Sequence, residues 1–418
     1  MATFITDNVN NLLVQFLEDA YPDVFYQARP FFDRIKKKSG VGGESVKIPL
    51  PTSAGGGQGG DFVSALANAQ PGGAKRVAFT CEPAKGFGIM TLENSEVPFT
   101  ETPESAMDIL TEATKNAMEN AAANFEAMVF SDGHGTLGTI STATNTTGHI
   151  WRLVLTQGTD VFHFALGNVL VSKATPATGS LDTGTATVVG TNPENASILV
   201  DVSTSGMTPT AGHVLGLQGQ MLASTGVVTW PGVFAWNPPI TSRTNGAVGD
   251  TFLGVDRTES SNVVAVSGWA IDARNQGSLV QAVNNLCGLM ANLKLAKPDT
   301  AIVNPTVLAQ ICNELETQAR NDLRSFNGID VLYSGVEIMT PAGKIEVLAE
   351  STMPANQIFV TKCDTWTFAY PDKVFKPASL KGNMLVEDYA TNSTRIAVIC
   401  AGFLYSTNPA ASGNILIA

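Results

Sequence analysis

The sequence lacks any hydrophobic run long enough to cross a membrane. A membrane-spanning helix needs about 18 or more apolar residues in succession, and the chain contains no such stretch. Its first residues, MATFITDNVNN, also lack the basic start and the apolar centre of a secretory signal. We therefore expect a soluble protein that is made in the cytoplasm.

Cysteines with metal-binding or redox spacing are absent as well. The chain has five cysteines, and no two of them form a C-x-x-C motif of the kind found in zinc sites and thioredoxin-like enzymes. They are Cys81, Cys287, Cys312, Cys363 and Cys400. We expect most of them to be buried thiols in a reducing compartment.

Sequence motifs for catalysis are also missing. The four histidines do not form H-E-x-x-H, the glycines at 55–60 are not followed by the Gly-Lys-Ser/Thr of a phosphate loop, and no G-x-S-x-G is present. We therefore expect no catalytic residues, no cofactor and no metal ligands. A structural role is favoured over an enzymatic one.

Positive charge is scarce, with 25 Lys and Arg against 37 Asp and Glu and a net charge of −12. A protein whose function is to bind nucleic acid would concentrate Lys and Arg on one face. A protein shell that encloses nucleic acid without binding it tightly needs no such basic face. The chain has 418 residues and is 44% hydrophobic, enough for a large core and two or three domains.

A long amphipathic helix is the clearest element in the sequence. Thr102 can cap its first amides, Pro103 fits the first turn, and Glu104 faces the positive end of the helix dipole. Apolar residues then recur at spacings of three and four: Ala106, Ile109, Leu110, Ala113, Ala117, Ala121, Phe125, Met128 and Val129. The small alanines predict a face that a neighbouring element can approach closely.

This helix runs into a turn rich in glycine, with the sequence SDGHGTLGTI from Ser131 to Ile140. A long helix followed by such a turn resembles the spine helix and the next loop of tailed-phage major capsid proteins of the Hong Kong 97 fold. His134 departs from the usual pattern of that family. The residues of the glycine turn are Asp132, Gly133, Gly135 and Gly138.

Two segments before the helix extend the resemblance. Ser45–Leu50 and Arg76–Leu92 are extended stretches separated by a glycine-rich segment, and this order resembles the hairpin, called the E-loop, that capsid subunits lay over a neighbour. A surface loop is the alternative interpretation. The amphipathic stripe from Val9 to Leu17 and the aromatic cluster from Phe25 to Phe32 resemble the N-terminal arm, or else a helix packed on its own domain.

The segment after the turn, from about 141 to 267, is rich in Thr, Gly, Val, Ser and Asn and predicts an inserted β-sandwich or β-barrel. Its strand candidates are Val161–Val171, Thr185–Val189, Ser197–Val202 and Val214–Leu217. If the capsid resemblance holds, this domain either decorates the outer surface or stabilises the subunit.

The rest of the chain resembles the second half of a capsid subunit. A helix from Leu279 leads to the strand Thr300–Val303, which ends in Asn304-Pro305 before another helix, and the family has the same succession after its glycine turn. Short strands follow at Val336–Met339, Ile345–Leu348 and Ala355–Val360. The apolar run 394–404 predicts a strand that returns to the central sheet.

The resemblance implies an α+β, Hong Kong 97-like fold with an N-terminal arm, an E-loop hairpin, a spine helix and the P- and A-domains. In chain order its parts are the arm (1–43), the hairpin and start of the P-domain (44–100), the spine helix and glycine turn (101–140), the inserted β-rich domain (141–267), helices and a strand of the P- and A-domains (268–325), the A-domain (326–393) and the return strand with the C-terminus (394–418). The candidate inter-subunit contacts are Phe16, Phe31, Phe32, Gly55, Gly56, Gly57, Gly59 and Gly60.

The function that this resemblance implies is that of a major capsid protein, which assembles into hexamers and pentamers of an icosahedral head around double-stranded DNA. Its expected partners are further copies of itself, a separate scaffolding protein, a portal and, in some heads, decoration proteins. One alternative is a β-rich adhesin-type module in which Trp230 and Trp236 stack on sugars. Another is the shell of an encapsulin-like nanocompartment, which shares the fold.

Overall fold

The computed structural model describes residues 29–41, 45–52, 57–69, 76–93, 103–175, 180–203, 206–221, 231–244, 247–258, 263–292, 297–319, 336–371, 374–377, 385–388 and 393–417. They form an α+β structure with two six-stranded sheets, a closed six-stranded barrel and three two-stranded pairs. Among these residues no helix combines the length and the apolar character that a membrane span requires.

The helices and strands alternate irregularly along the chain. The helices are α1 (Pro30–Arg34), α2 (Phe62–Asn68), α3 (Pro103–Val129), α4 (Val233–Trp236), α5 (Val263–Ser267), α6 (Leu279–Ala291) and α7 (Pro305–Ala319). The strands of the first half are β1 (Lys36–Lys38), β2 (Val46–Pro51), β3 (Arg76–Cys81), β4 (Ala84–Glu93), β5 (Gly138–Thr147), β6 (Ile150–Leu155), β7 (Val169–Lys173), β8 (Ala186–Asn192), β9 (Ser197–Asp201) and β10 (Val214–Leu217). Those of the second half are β11 (Arg243–Thr244), β12 (Ala247–Val248), β13 (Thr251–Phe252), β14 (Val255–Asp256), β15 (Trp269–Asp272), β16 (Thr300–Val303), β17 (Val336–Thr340), β18 (Gly343–Ala349), β19 (Gln357–Thr361), β20 (Trp366–Ala369), β21 (Phe375–Pro377), β22 (Leu385–Asp388), β23 (Ser393–Ser406) and β24 (Ser412–Leu416).

Strand β23 is the centre of the first sheet, as the apolar run near the C-terminus predicts. It pairs antiparallel with β4 from Ser393 opposite Glu93 to Gly402 opposite Ala84, and also with β20, β21 and β22. Strand β1 extends the sheet by a parallel pairing with β20. Strand β4, the return strand and β1, which lies within the predicted arm segment 1–43, are therefore joined in one sheet.

The long helix α3 packs against β4 and β23. This contact confirms the prediction that a neighbouring element approaches the helix closely. Its described side chains Ala121, Phe125, Met128 and Val129 are buried in the first core, as the spacing predicts. Alanine at 121 and 122 lets the helix axis approach the sheet, where β4 presents Gly86 and Gly88. The side chains of Ala106, Ile109, Leu110, Ala113 and Ala117 lie outside the described part of the chain.

The second sheet has the strand order β15-β24-β19-β16-β18-β17 and packs with α6 and α7 over a second core. The predicted succession of helix, strand, Asn-Pro and helix is confirmed here. Asn304 ends β16, and its Oδ1 accepts hydrogen bonds from the amide of Thr306 at 3.1 Å and its hydroxyl at 2.9 Å. Its Nδ2 donates to the carbonyl of Met353 at 2.7 Å, so the helix start is tied to the neighbouring loop.

Of the two β architectures predicted for the middle of the chain, the barrel is present. Its strands close in the order β10-β5-β6-β9-β8-β7 around a separate apolar core. One strand prediction was wrong, because Gly158–His163 is a 3-10 helix and β7 begins only at Val169. This apolar segment caps the barrel with Val161 and Phe164 buried, so its hydrophobicity does not mean that it is a strand.

The predicted domain boundary at 267 also needs correction, since the last barrel strand ends at Leu217. Residues Val233–Trp236 are buried in the first core and not in the barrel. Trp236 is fully buried, and its indole Nε1 donates to the carbonyl of Leu404 on β23 at 3.0 Å. Phe79 and Phe252 pack against its ring at centroid distances of 4.9 and 5.2 Å.

The buried Arg257 and the half-buried Arg243 hold the segment that surrounds Trp236. Arg257 donates from Nε to Asp250 at 2.8 Å and from Nη1 to the carbonyl of Ala235 at 2.9 Å. Arg243 donates to the carbonyls of Ser267 at 2.8 Å and Gly268 at 3.0 Å. Burial, together with the positive charge of Arg257, lowers the pKa of Arg243 to about 10, so Arg243 remains charged at neutral pH.

Replacing Trp236 by alanine should destabilise the protein strongly, because it empties the centre of the first core and leaves the Leu404 carbonyl without its donor. We expect a loss of about 3–5 kcal/mol in the free energy of unfolding, measured by denaturant titration. The matched control is Phe162→Ala at an exposed aromatic residue of the barrel segment, which should change stability by less than about 0.5 kcal/mol. Equal effects of the two changes would contradict this account of the core.

Candidate inter-subunit surfaces

The predicted hairpin is formed by β2 and β3, which pair antiparallel from Val46 opposite Cys81 to Pro51 opposite Arg76. Ile48, Leu50 and Phe79 on these strands are buried in the first core. The two hairpin strands are therefore part of the subunit's own core. The segment that connects them is the part of the hairpin that can contact other molecules.

The tip of the hairpin contains a short helix, α2, that sequence reasoning missed because glycines dominate the region. Asp61 caps it, accepting hydrogen bonds from the amide of Ser64 at 2.9 Å and from its hydroxyl at 2.7 Å. These bonds lower the pKa of Asp61, so its carboxylate is ionised at neutral pH. An N-cap aspartate before helix-forming residues, here Ala65, Leu66 and Ala67, was the available signal.

The hairpin glycines have a local role in the structure. A Cβ atom on Gly59 would lie 2.5 Å from the amide of Ala65, and one on Gly57 would overlap the Ala65 carbonyl. Both glycines are thus required for the loop to lie against α2. Gly60 has open space around it, and Gly55 and Gly56 lie outside the described residues. A contact between any of these glycines and another subunit stays a prediction.

Large apolar side chains are exposed on α2. Phe62 is 80% exposed, Val63 74% and Leu66 63%, and no side chain of this helix is buried. Residues three and four apart share a helix face, so these three form one apolar surface. A second exposed apolar pair lies on β4, where Phe87 is 51% and Ile89 56% exposed.

The prediction that Phe31 and Phe32 contact a neighbouring subunit is corrected by their burial, at 1% and 3% exposure in the single chain. Phe32 packs edge-on against Phe125 and Phe368 at centroid distances of 5.2 and 5.1 Å. Their apolar rings fill the gap between α3 and the first sheet, so they have no surface left for a partner. Phe16 lies outside the described residues.

A buried cluster of charged groups joins α1 to α3 and to the loop after β18. Arg29 Nε donates to Glu126 at 3.0 Å, and Thr352 Oγ1 donates to the other oxygen of Glu126 at 3.2 Å. Glu350 accepts from the amide of Phe31 at 3.3 Å, while its second oxygen has no partner in the part of the chain that the structure describes.

The surroundings of Glu350 raise the pKa of its carboxyl group well above the ordinary value for glutamate. Burial is the largest cause of its raised pKa, followed by the closeness and the negative charge of the Glu126 carboxylate. The amide of Phe31 and the charge of Arg29 act in the opposite direction but are weaker. Two nearby titratable groups stay neutral, because burial raises the pKa of the Cys400 thiol and lowers that of His163.

The glycine turn follows α3 directly, as predicted. The hydroxyl of Ser131 donates to the Met128 carbonyl at 2.8 Å, and the amide of His134 donates to Asp132 at 2.9 Å. Gly133 and Gly135 adopt left-handed φ values of 86° and 77°, and Gly138 begins the first barrel strand. Residue 134 contributes its backbone amide to the turn, so a histidine fits there although it departs from the usual pattern of the family.

Gly135 also lies against the segment that follows the last barrel strand, β10. A Cβ atom at Gly135 would lie 2.8 Å from the carbonyl oxygen of Gln220. The side chain of Gln220 donates in turn to Asn124 on α3 at 2.6 Å. The turn and residues 218–221 therefore form the connection between the barrel and the spine helix.

Two polar side chains of the barrel meet at one carboxylate oxygen of Asp182. Ser172 donates to Asp182 Oδ2 at 2.5 Å, and His213 Nδ1 lies 2.7 Å from the same oxygen, so the histidine contacts the acid and not the hydroxyl. Burial raises the pKa of Asp160 to about 7. Within the described ranges, no three His, Cys, Asp or Glu side chains are grouped as metal ligands.

Replacing Gly135 by alanine should damage the connection between the barrel and α3. The left-handed backbone alone costs about 1–2 kcal/mol for a residue with a side chain, and the clash with Gln220 adds to this cost. Gly212→Ala is the matched control, because Gly212 also has a left-handed φ but has open space around it. Thermal unfolding should show a clearly larger loss for Gly135→Ala. Equal losses would mean that the close contact is unimportant.

The free energy of unfolding should depend on pH through Glu350. Its folded pKa is raised above the ordinary value of 4.5, so its stabilising contribution is complete below that pH and is lost as the pH rises through the folded pKa. Glu350→Gln stays neutral and keeps the shape, so its stability relative to wild type should increase from pH 5 to pH 8. The measurement is denaturant unfolding at a series of pH values.

Glu126→Gln serves as the contrast to this variant. It leaves Arg29 buried without its carboxylate, so we expect a loss of about 3 kcal/mol across the same pH range. A Glu350→Gln variant with the same pH profile as wild type would show that Glu350 does not hold a proton in the folded state.

No protein-family model and no curated protein sequence matches the chain. Among solved structures, the chain is similar to a chain of the capsid asymmetric unit of cyanophage A-1(L), with 10% identity, a TM-score of 0.53, and coverage of 91% of this chain and 90% of that one.

Two further structures align over most of their length with lower scores. They are the capsid of cyanophage P-SCSP1u, with 11% identity, coverage of 94% and 88% and a TM-score of 0.41, and a virus-like particle from Pyrococcus furiosus, with 9% identity, coverage of 97% and 98% and a TM-score of 0.39. The similarity to the A-1(L) chain extends over nine-tenths of both chains. This protein therefore has the Hong Kong 97-like capsid fold that its sequence resembles.

Proposed function

We propose that the protein is the major capsid protein of a tailed phage with a double-stranded DNA genome. The observation that carries this proposal is the shared fold, which extends over 91% of this chain and 90% of the A-1(L) capsid chain. Copies of the chain would form the hexamers and pentamers of an icosahedral head. The protein would be made in the bacterial cytoplasm and would reside in the virion.

The surface chemistry supports a role in assembly. The described chain has an apolar helix at the tip of a hairpin and an exposed apolar pair, Phe87 and Ile89, on its first sheet, whereas its polar clusters are engaged in holding the fold. Closed shells are stable because many modest contacts act together. The net charge of −12 suits a wall that encloses DNA without binding its sequence.

Other partners follow from the same role. A separate scaffolding protein would guide assembly, a portal would occupy one vertex, and decoration proteins would bind the outside of some heads. The carbohydrate-binding alternative loses its main support, because Trp236 is fully buried and donates to the Leu404 carbonyl. Trp230, the other proposed stacking residue, lies outside the described residues.

The proposal predicts that the purified chain assembles into closed shells, or into hexameric and pentameric rings, when it is expressed with its scaffold. Negative-stain electron microscopy gives the shape, and light scattering gives the particle mass in solution. A monodisperse monomer under all conditions, with or without crowding agents and scaffold, would refute the proposal. Shells that enclose a protein cargo instead of DNA during infection would favour the nanocompartment alternative.

A further inference from the structure

A cleft separates the barrel from the first core. It has a volume of about 1350 Å³ and lies beside the glycine turn. Residues of the segment 157–163 line it on the barrel side, and Phe130, Phe234 and Phe252 of the first core line it on the other side. The barrel therefore touches the rest of the subunit over only part of its surface.

Small contacts hold the barrel on the spine helix. Ala127 of α3 packs against the barrel core, and Gln220 donates to Asn124 of α3 at 2.6 Å. The 3-10 helix Gly158–His163 also lies against α3. Because the barrel has a core of its own, it can change its position on these contacts without unfolding.

Asp160 is a half-buried acid at this junction. Its Cβ and Oδ2 atoms lie 3.2 and 3.3 Å from the point that a Cβ atom on Gly138 would occupy, so the carboxyl group covers the start of the first barrel strand. Burial raises the pKa of this group to about 7, and no hydrogen bond or nearby charge of the described residues contributes to the shift. An ionised Asp160 would thus lack the partners that stabilise a charge removed from water.

The charged groups on the neighbouring elements do not favour a negative charge on Asp160. The elements packed against the 3-10 helix carry Glu126 on α3, Arg152 on β6, Glu194 in the turn after β8 and Asp201 at the end of β9. Arg152, the cation among these four, is exposed to solvent. His163 on the same 3-10 helix has a pKa that burial lowers, so it is neutral at neutral pH.

The rest of the cleft lining is acidic as well. Glu82, Asp132 and Asp250 line it, and His134 borders it at the glycine turn. Arg257, the arginine of this lining, already bonds to Asp250 at 2.8 Å. A negative charge on Asp160 would therefore be added to a cleft that already contains carboxylates.

We propose that Asp160 is a proton-dependent contact that holds the barrel against the glycine turn and the spine helix. With the proton present, the neutral carboxyl group fits between the 3-10 helix and Gly138. When the proton is lost, the negative charge favours contact with water, and the cleft widens. The inference concerns a single copy of the chain and does not depend on shell assembly.

The direction of the pH effect follows from the raised pKa of Asp160. In the open state the side chain is solvated, so its pKa falls towards the ordinary value of 3.8. The closed state is therefore favoured in full below that pH, loses its advantage as the pH rises, and is least favoured above about pH 7. Asp160→Asn has the same size and no charge, so the barrel of this variant should stay closed throughout.

The distance between the barrel and the first sheet tests this proposal. The five native cysteines are buried, so spin labels can be placed selectively at Leu166→Cys on the barrel and Ile89→Cys on β4, where both wild-type residues are exposed. Labelled chains are diluted with unlabelled ones so that pulsed electron paramagnetic resonance reports distances within one copy. From about pH 5 to pH 8, the ratio of open to closed chains should rise by about tenfold or more in the wild-type background.

The variants decide which group is responsible. Asp160→Asn should keep one distance distribution across this pH range, and Asp160→Ser, a smaller neutral residue, should do the same. Asp201→Asn removes an exposed carboxylate from the same barrel and is the matched control, so it should respond as wild type does. Circular dichroism at each pH shows that the variants are folded.

The outcomes also keep this inference apart from the proposed function. A wild-type chain whose distances do not change with pH, or an equal change in Asp160→Asn, would overturn the inference and leave the shell function intact. A response that Asp160→Asn abolishes, in a chain that never forms shells, would support the inference and count against the shell function.

Discussion

The pairing of β23 with β4 is the interaction on which the rest of the structure depends. It runs from Ser393 to Gly402 on one strand, and its inner face packs against the spine helix. Buried backbone groups must be hydrogen-bonded, so a long central strand determines where its neighbours lie. Strand β4, which follows the hairpin in the chain, pairs with β23 directly, β1 joins the sheet through β20, and Trp236 bonds to the carbonyl of Leu404.

Buried charges then select one arrangement of the segments around this sheet. Arg257 links Asp250 to the carbonyl of Ala235, and Arg29 links the first helix to Glu126 on the spine helix. An ion pair of this kind adds little net stability, but an unpaired buried charge is very unfavourable. These residues therefore act mainly against alternative packings of segments that have little regular structure of their own.

Under the proposed shell function, the exposed apolar surfaces would meet other copies of the chain. Single apolar residues on a surface are ordinary, but Phe62, Val63 and Leu66 lie together on α2, and Phe87 and Ile89 lie together on β4. Weak contacts of this size do not hold a dimer, whereas a ring or shell adds many of them. The barrel has its own core and is joined to the spine helix through Gly135 and Gln220.

The sequence by itself determined the elements whose signals are local. The spacing of Ala121, Phe125 and Val129 marks the buried face of a helix, the turn at Gly133 and Gly135 needs residues without a side chain, and Asn304-Pro305 marks the start of a helix. Each of these depends on neighbours within a few residues. The apolar run at 394–404 likewise indicates a buried strand, although not its partners.

Only the tertiary structure decided which apolar residues are buried and which are exposed. Phe31 and Phe32 are as hydrophobic as Phe62 and Phe87, yet the first pair is buried and the second exposed. Val233–Trp236 follows a β-rich segment in the sequence but packs in the first core, because Phe79 and Phe252 come from distant parts of the chain to meet it. Burial depends on contacts between residues far apart in sequence, and hydrophobicity along the chain does not contain that information.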